Sequence, residues 1–429
     1  MELKIPTYII EIQNRLKEHN YECYLVGGCV RDAILGNKIK DYDLNTNCDI
    51  ETIKEIFNDY PIINNNGEKH HTITLYVSKD NVEITSYKHL EGEPNTLLTD
   101  LSHRDITITA MAYDEKIIDY YGGLEDINNK IIRCVGNPFD RITEDPLRIL
   151  RILRFSSKLD FRIEELTANT IHQTYHLLNN ISKERIKTEL DGILVGKNVK
   201  SILNEYNDVL FEIIPELKPT FGFKQHNPYH INDVYNHTIN VCSNCKQNQI
   251  LRMAALLHDI GKPECFTMDE NNIGHFYGHP IVSHDMAVDI LKRLKYSNEE
   301  IQKITYLIKY HDSTIQVNKK SIRKNFSNTP NHNEDLFMLL MELKNADSSD
   351  HTINKKIDLN IVKDILNQIK NENECLKVTD LDINGYDLMD LGYSGKEIKE
   401  KLNFLLEAVL EEKVLNNKEK LIKYLKENV

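Results

Sequence analysis

With 429 residues, 40% hydrophobic and 28% charged, the chain is long enough for two to four domains with cores of their own. Its formal net charge of −13 argues against bulk binding to nucleic acid, yet residues 140–200 carry 11 Lys and Arg against 9 Asp and Glu, a local path that could hold an RNA backbone. No apolar run approaches the roughly 18 residues of a membrane span, so no membrane partner is expected.

The charged start, MELKIPTYIIEIQNRLKEHN, reads as an amphipathic helix rather than a signal peptide. The 8 cysteines lack a framework spacing and read as reduced thiols of a cytoplasmic protein. Cys242 and Cys245 form a lone C-x-x-C, read as helix filling and not as a zinc site. Residues 1–135 alternate in pattern. Helices are predicted near 7–19, 29–35, 50–58 and 105–113, and strands near 22–26, 40–45, 71–78, 81–86 and 116–120. From residue 140 almost everything reads helical. Breaks fall at Asn137-Pro138 and in the Pro-, Gly- and aromatic-rich 215–229, and 326–335 is a polar loop. Four segments follow: 1–137, 138–225, 226–352 and 353–429. The fold class is α+β, a mixed sheet with helices followed by an all-helical remainder.

The string Leu25–Asn47, LVGGCVRDAILGNKIKDYDLNTN, is the most telling in the first segment. A strand runs into Gly27-Gly28, a short helix follows, and a second strand carries Asp41 and Asp43. Side chains at i and i+2 leave a strand on one face. Two carboxylates that close repel unless a cation sits between them. Hard divalent ions take such oxygens and complete their shell with water and phosphates. The glycines let backbone N–H groups approach an anion. A phosphate site beside a metal site suggests nucleotide chemistry.

Gly-Gly-x-x-Arg-Asp, a spacer, then Asp-x-Asp-Leu resembles the first motif of the tRNA nucleotidyltransferases, which build the CCA end of tRNA without a template. Arg104-Asp105-Ile-Thr-Ile-Thr-Ala resembles their second motif, with His103 where a first Arg stands and Thr109 where an Asn stands. Asp119-Tyr-Tyr-Gly122-Gly123-Leu-Glu-Asp126 resembles the third, a hinge or scaffold. Glu144-Asp145-Pro-Leu-Arg148-Ile-Leu-Arg151-Ile-Leu-Arg154 resembles the nucleotide-reading helix, with Pro146 expected in its first turn. A carboxylate accepts from the amino group of cytosine or adenine, and a guanidinium donates to the adjacent ring nitrogen. Uracil and guanine present the reverse order. Ser182–Leu190 resembles the last motif, read as structural, with Arg185 and Glu189 paired at i, i+4.

The resemblance implies a class II nucleotidyltransferase palm and a helical neck. It implies a two-metal reaction with Asp41 and Asp43 holding Mg²⁺. It implies CTP and ATP bound by Gly28, Arg31, Arg104, Asp145, Arg148, Arg151 and Arg154, and tRNA as partner. Glu83 is either a third carboxylate at the metals or a solvent-facing residue. Only HLEGEPNTLLTDLSH separates the 82–88 strand from Arg104, where family members carry a longer flexible loop associated with the switch from C to A. A CC-adding enzyme or a poly(A) polymerase is therefore the alternative within the class.

In the third segment, Leu256-Leu257-His258-Asp259-Ile260-Gly261-Lys262 resembles an HD-type metal phosphohydrolase. The resemblance implies His237, His258, Asp259 and Asp347 as basic ligands, with His279 and His311 as ligands of a second ion and a transition metal as the occupant. A phosphohydrolase whose first half binds RNA is the alternative from another class. The last segment, with LDINGYDLMDLGYSGKEI, reads as a tRNA-docking tail or a plain helical pair.

Overall fold

The computed structural model describes residues 3–63, 71–78, 80–228, 231–352 and 356–428. It divides into two compact units, Met1–Ile213 and Ile214–Val429.

The first unit opens with α1 (Thr7–Glu18) and then β1 (Cys23–Val26), α2 (Gly28–Ile34), β2 (Tyr42–Thr46) and α3 (Ile50–Ile56). After them come β3 (Ile62–Ile63), β4 (Thr72–Val77), β5 (Asp80–Ser86), α4 (Leu97–Ser102), β6 (Met111–Asp114) and β7 (Lys116–Asp119). These strands form one seven-stranded sheet, ordered β3-β4-β5-β2-β1-β6-β7. Only the β2–β5 pair within it is parallel, so the sheet is mixed. Leu25 and Val26 on β1 are fully buried at its centre.

The expected helix over 105–113 is overturned. Thr107–Thr109 makes a single 3₁₀ turn, and Met111–Asp114 is a strand paired with β1 and β7. The run Ile-Thr-Ile-Thr-Ala-Met-Ala is rich in β-branched residues, which fit a pleated sheet better than a helix. Glu115, at φ 57°, turns the β6–β7 hairpin where Asp114-Glu115 was read as a turn.

Then α5 (Gly123–Asn129) leads through the short parallel pair β8 (Ile131–Ile132) and β9 (Arg162–Ile163). Between those strands lie α6 (Pro138–Glu144) and α7 (Arg148–Leu159). Pro146 lies between these helices and not inside the second, another correction. Asp145 stands before a proline, where the helical region is disfavoured, and it is extended at φ −141°, ψ 99°. That break sets Asp145 at an elbow. The rest of the unit is helical: α8 (Glu165–Thr174), α9 (Lys183–Leu194), α10 (Val199–Glu205) and α11 (Asn207–Ile213). Helix α9 packs on α7.

The second unit comprises α12 (Val234–Asn244), α13 (Gln249–Leu257), the hairpin β10 (Thr267–Met268) and β11 (Gly274–His275), α14 (His279–Arg293), α15 (Asn298–Tyr310), α16 (Lys319–Ser327) and α17 (Glu334–Ser348). It continues with α18 (Leu359–Asn371), α19 (Gly385–Asp390), α20 (Lys396–Leu410) and α21 (Lys418–Asn428). Leu388, Leu405, Leu421 and Leu425 form a core of their own near the end of the chain. Buried Arg323 ties that end down, donating at 3.1 Å to the Val409 and Leu410 carbonyls that close α20. No helix among the described residues is long and apolar enough to cross a membrane. All eight cysteines are free thiols, Cys242 and Cys245 included, and both of those are buried.

Candidate active site and a second metal-ligand cluster

The head site lies where β2, β5, the start of α2 and the segment after α4 meet. Asp41 directly precedes β2 and Asp43 lies on it. Parallel pairing sets Asp43 opposite Glu83 on β5. Glu83 thus stands opposite Asp43 while its side chain is also exposed to solvent, so each reading of it holds in part. Burial, then the Glu83 charge, push the Asp43 carboxyl up to about 6, against the opposing pull of Arg104. The crowding that opposes ionisation of Asp43 would be relieved by a positive charge, so Asp43, with Asp41 and Glu83 as its neighbours, could take a divalent cation.

Arg104 lies across Gly27. A Cβ at Gly27 would stand 2.5 Å from Arg104 Nη1 and 3.9 Å from Asp43 Oδ2. Gly27 also has φ 77°, where an L side chain is strained. Gly27→Ala is therefore expected to displace Arg104 from the carboxylates. Stability should fall by about 1 kcal/mol, and kcat/KM should fall more steeply than melting temperature. Equal kcat/KM in the variant would contradict this placement.

Asp43 also gives a pH dependence. Its folded value lies above the ordinary carboxylate range, so its protonated form favours the folded state. That contribution is present below about pH 4 and is lost as pH rises through about 6. A divalent cation offsets the loss, so the melting temperature gained on adding Mg²⁺ should be larger at about pH 7 than at about pH 5. Equal gains would contradict it.

Helix α7 is joined to this site through residues 103–105. Asp105 Oδ1 accepts from Arg148 Nε at 2.8 Å, and its other oxygen pairs with Arg151. Arg148 is buried. Its Nη1 donates to the Arg141 carbonyl at 2.7 Å and to Glu144 at 2.6 Å, and Nη2 donates to the His103 carbonyl at 3.0 Å. These bonds use four of the five N–H groups and leave one on Nη2. Against the cost of burial, Arg148 and then Lys88 hold the Glu144 carboxyl at about 2. Arg31 is buried as well, bidentate on Asp32 and facing the Phe155 ring. Arg154 lies over the same ring and pairs with Glu189 at 2.6 Å. The expected Arg185–Glu189 pair is thus replaced: Arg185 reaches Asp145 at 3.0 Å instead. Gly28 begins α2 beside the Arg31 guanidinium. Of the expected nucleotide cations, Arg104, Arg151 and Arg154 remain partly exposed, while Arg31 and Arg148 are held inside.

The second unit gathers all six residues expected of a metal site. His237 Nε2 lies 3.0 Å from Asp347 and 3.5 Å from Asp259, and His258 Nε2 lies 3.3 Å from Asp259. His279 Nε2 and His311 Nε2 approach the other Asp259 oxygen at 3.3 and 3.6 Å. Two triads could each hold an ion, His237–His258–Asp347 and His258–Asp259–His311. The second bonds of these rings are informative. The Nδ1 atoms of His258, His279 and His311 face the carbonyls of Ala255, Phe276 and Ile308 at 2.7, 2.8 and 2.6 Å. A carbonyl only accepts, so each Nδ1 carries a hydrogen and each Nε2 is aimed inward, the orientation of metal-ligating imidazoles. His258 Nε2 and both Asp259 oxygens are buried without a hydrogen bond of ordinary geometry, although Lys262 Nζ pairs with Asp259 at 2.7 Å.

Against burial, Asp347 and Asp350 push His237 up to about 9. Burial also opposes the ionisation of Asp259, but the His258 and Lys262 charges hold its carboxyl well below the ordinary range. The cluster thus demands positive charge, and the donor set fits a divalent ion. Two participants, Asp350 and His351, were missed, and Lys262 was read only as part of the His-Asp string. Asp350 orients His237 at 2.8 Å and is itself held by Asn232 and Asn240. Lys262 is anchored on Gln225 at 3.0 Å. His351 stacks on His237, with Nε2 3.6 Å from Asp347. Its spacing of four from Asp347 was the available signal.

Comparison with known proteins fits this geometry. Residues 23–133 match the family model of the poly(A) polymerase head domain, 160–220 that of a probable RNA- and SrmB-binding site of polymerase A, and 279–425 that of a tRNA nucleotidyltransferase domain. The first part of the chain is thus similar to a poly(A) polymerase head domain and its last part to domain 2 of tRNA nucleotidyltransferases. Enzymes of this kind use divalent metals. Its curated relatives are CCA-adding enzymes. It is 39% identical to that of Ligilactobacillus salivarius over 220 residues, 48% of this chain and 54% of the relative. It is 34% identical to that of Lactococcus lactis subsp. cremoris strain MG1363 over 254 residues, 52% of this chain and 62% of the relative. The chain thus spans little more than half the length of these relatives. The fold is that of solved CCA-adding enzymes. The Bacillus stearothermophilus enzyme in complex with CTP aligns with TM-score 0.74 at 24% identity, over 99% of this chain and 98% of that one. A CCA-adding enzyme with ATP aligns with TM-score 0.66 at 20% identity, over 99% and 96%.

Proposed function

We propose that the chain adds C and A to the 3′ end of tRNA from CTP and ATP, without a template, in the cytoplasm. The observation that carries this reading is the pairing of Asp43 with Glu83, with Arg104 lying over Gly27 beside them. Asp41 and Asp43 would hold Mg²⁺. The ions supply activation of the tRNA 3′-hydroxyl and charge neutralisation at the departing pyrophosphate. Arg104 is placed to meet triphosphate oxygens. Gly28 lets the backbone come close to them, and Arg31 backs that turn. Asp145 accepts from the base amino group, and the remaining Nη2 hydrogen of Arg148 donates to the ring nitrogen. The Asp105, Glu144 and backbone bonds hold that guanidinium still. Arg151 and Arg154 complete the cationic row for triphosphate or ribose.

One observation favours a CC-adding variant. The short segment before Arg104 is tied down, with His103 Nε2 on Glu93 at 2.7 Å and Leu90 N–H on the same carboxylate at 2.8 Å. Extension of tRNA lacking its CCA end, with CTP only, ATP only or both, decides between these readings. Two additions with CTP and a third only when ATP is also present is the result expected. Arrest after two with both nucleotides marks the CC-adding form, and a long A tail marks a poly(A) polymerase.

The cluster in the second unit supports a separate reading, a metal-dependent phosphohydrolase site acting on 2′ or 3′ phosphates. His237, His258, Asp259, Asp347, His279 and His311 would be its ligands, with a transition metal as the occupant favoured by imidazole. A bound ion would supply an activated water, and buried Lys262, paired with Asp259 and Gln225, would hold positive charge beside it. Absence of hydrolysis of cyclic and terminal phosphates across several metals would refute it.

A further inference from the structure

The nucleotide-reading elbow has a brace that the nucleotide scheme above leaves unused. Asp145 is extended because Pro146 follows it, so the α6 helix does not fix its side chain. Two bonds fix it instead. Asp145 Oδ1 accepts the Leu147 N–H at 3.2 Å, and Oδ2 accepts Arg185 Nη2 at 3.0 Å. Arg185 comes from the first turn of α9. One turn on, Glu189 is taken by Arg154, and Gly192 lets the Arg154 stem lie across the helix, where a Cβ would meet its Cδ at 2.3 Å. Helix α9 therefore sets two members of the reading row, Asp145 and Arg154.

We propose that Arg185 is a positioning residue for base selection. It holds the Asp145 carboxylate in the plane in which it can accept an amino N–H. The proposal rests on the nucleotide-adding reading, since it assigns a role within that site. Each Asp145 oxygen keeps a second lone pair, so the carboxylate can accept from the amino group of cytosine or adenine while braced. At the same place uracil and guanine present a carbonyl, and a carboxylate that cannot swing away rejects it. The Arg185 and Asp145 side chains are 51% and 34% exposed, and a pair so exposed contributes little to stability. Its removal should leave the melting temperature in place while selectivity changes.

The test is equilibrium binding of CTP and UTP to the full chain, for wild type, Arg185→Ala and Arg185→Lys, with tRNA extension and melting measured in parallel. The CTP:UTP affinity ratio is expected to fall about tenfold in Arg185→Ala, the order of one base-reading contact. In extension it should appear mainly in KM, and Arg185→Lys should recover part of it. An unchanged ratio in Arg185→Ala overturns the proposal. So does a fall that Arg185→Lys leaves uncorrected, the mark of a merely structural role. A wild type that shows no preference for CTP over UTP overturns it too. A wild type that extends no tRNA but selects CTP through Arg185 refutes the activity and leaves the brace standing.

Discussion

Asp43→Ala is expected to lower nucleotide addition by about a thousandfold or more, roughly 4 kcal/mol of barrier, while CTP binding remains measurable. Asp43 is the most buried of the acidic group, it faces Glu83 across the β2–β5 pair, and burial and its neighbours set its carboxyl near 6. On the proposed reading, losing it removes a metal ligand and leaves the Asp145 elbow in place. Its replacement by alanine also removes one of three crowded negative charges, so the fold should not suffer. Single-turnover rates with tRNA lacking its end, beside CTP titrations, separate the two effects. Turnover within tenfold of wild type would mean that the chemistry lies elsewhere.

The second large effect concerns the cluster of the second unit. His258 belongs to both ligand triads, and its ring is fully buried with Nδ1 bound to the Ala255 carbonyl. His258→Ala is expected to weaken metal retention by about a hundredfold or more. Metal analysis after dialysis should show the loss, and CCA addition should stay within about twofold of wild type. The metal-free variant should still fold, because Asp259 keeps Lys262 as a partner. A wild type that retains no metal would show that the cluster is a buried polar network and no metal centre, and equal retention by both would remove His258 from the ligand set.

Much of the head site was legible because its signals are local. The i, i+2 spacing of Asp41 and Asp43 was legible locally, although only Asp43 lies on β2 and Asp41 directly precedes it. Glu83 was ambiguous because its role depends on the register between two strands forty residues apart in sequence, which no periodicity shows. The 105–113 segment was misread as a helix although its β-branched alternation pointed to a strand. Arg185 was misassigned for a related reason. Helical spacing offers Glu189 as its partner, but tertiary packing gives Glu189 to Arg154 and sends Arg185 to Asp145. Arg148 was expected in the pocket, and it is buried with four bonds already made. In the second unit, His258-Asp259 and the later histidines stood out because buried apolar helix ends seldom carry such residues. Asp350 and His351 escaped notice because their meaning comes from His237, more than a hundred residues away.

The measurement that tests the central idea most directly is a crystal structure of the chain with CTP and Mg²⁺. A single nucleotide should span the site, its phosphates on cations held by Asp41 and Asp43 and its amino group on Asp145. Triphosphate and cytosine bound in two pockets that one CTP cannot bridge would contradict it.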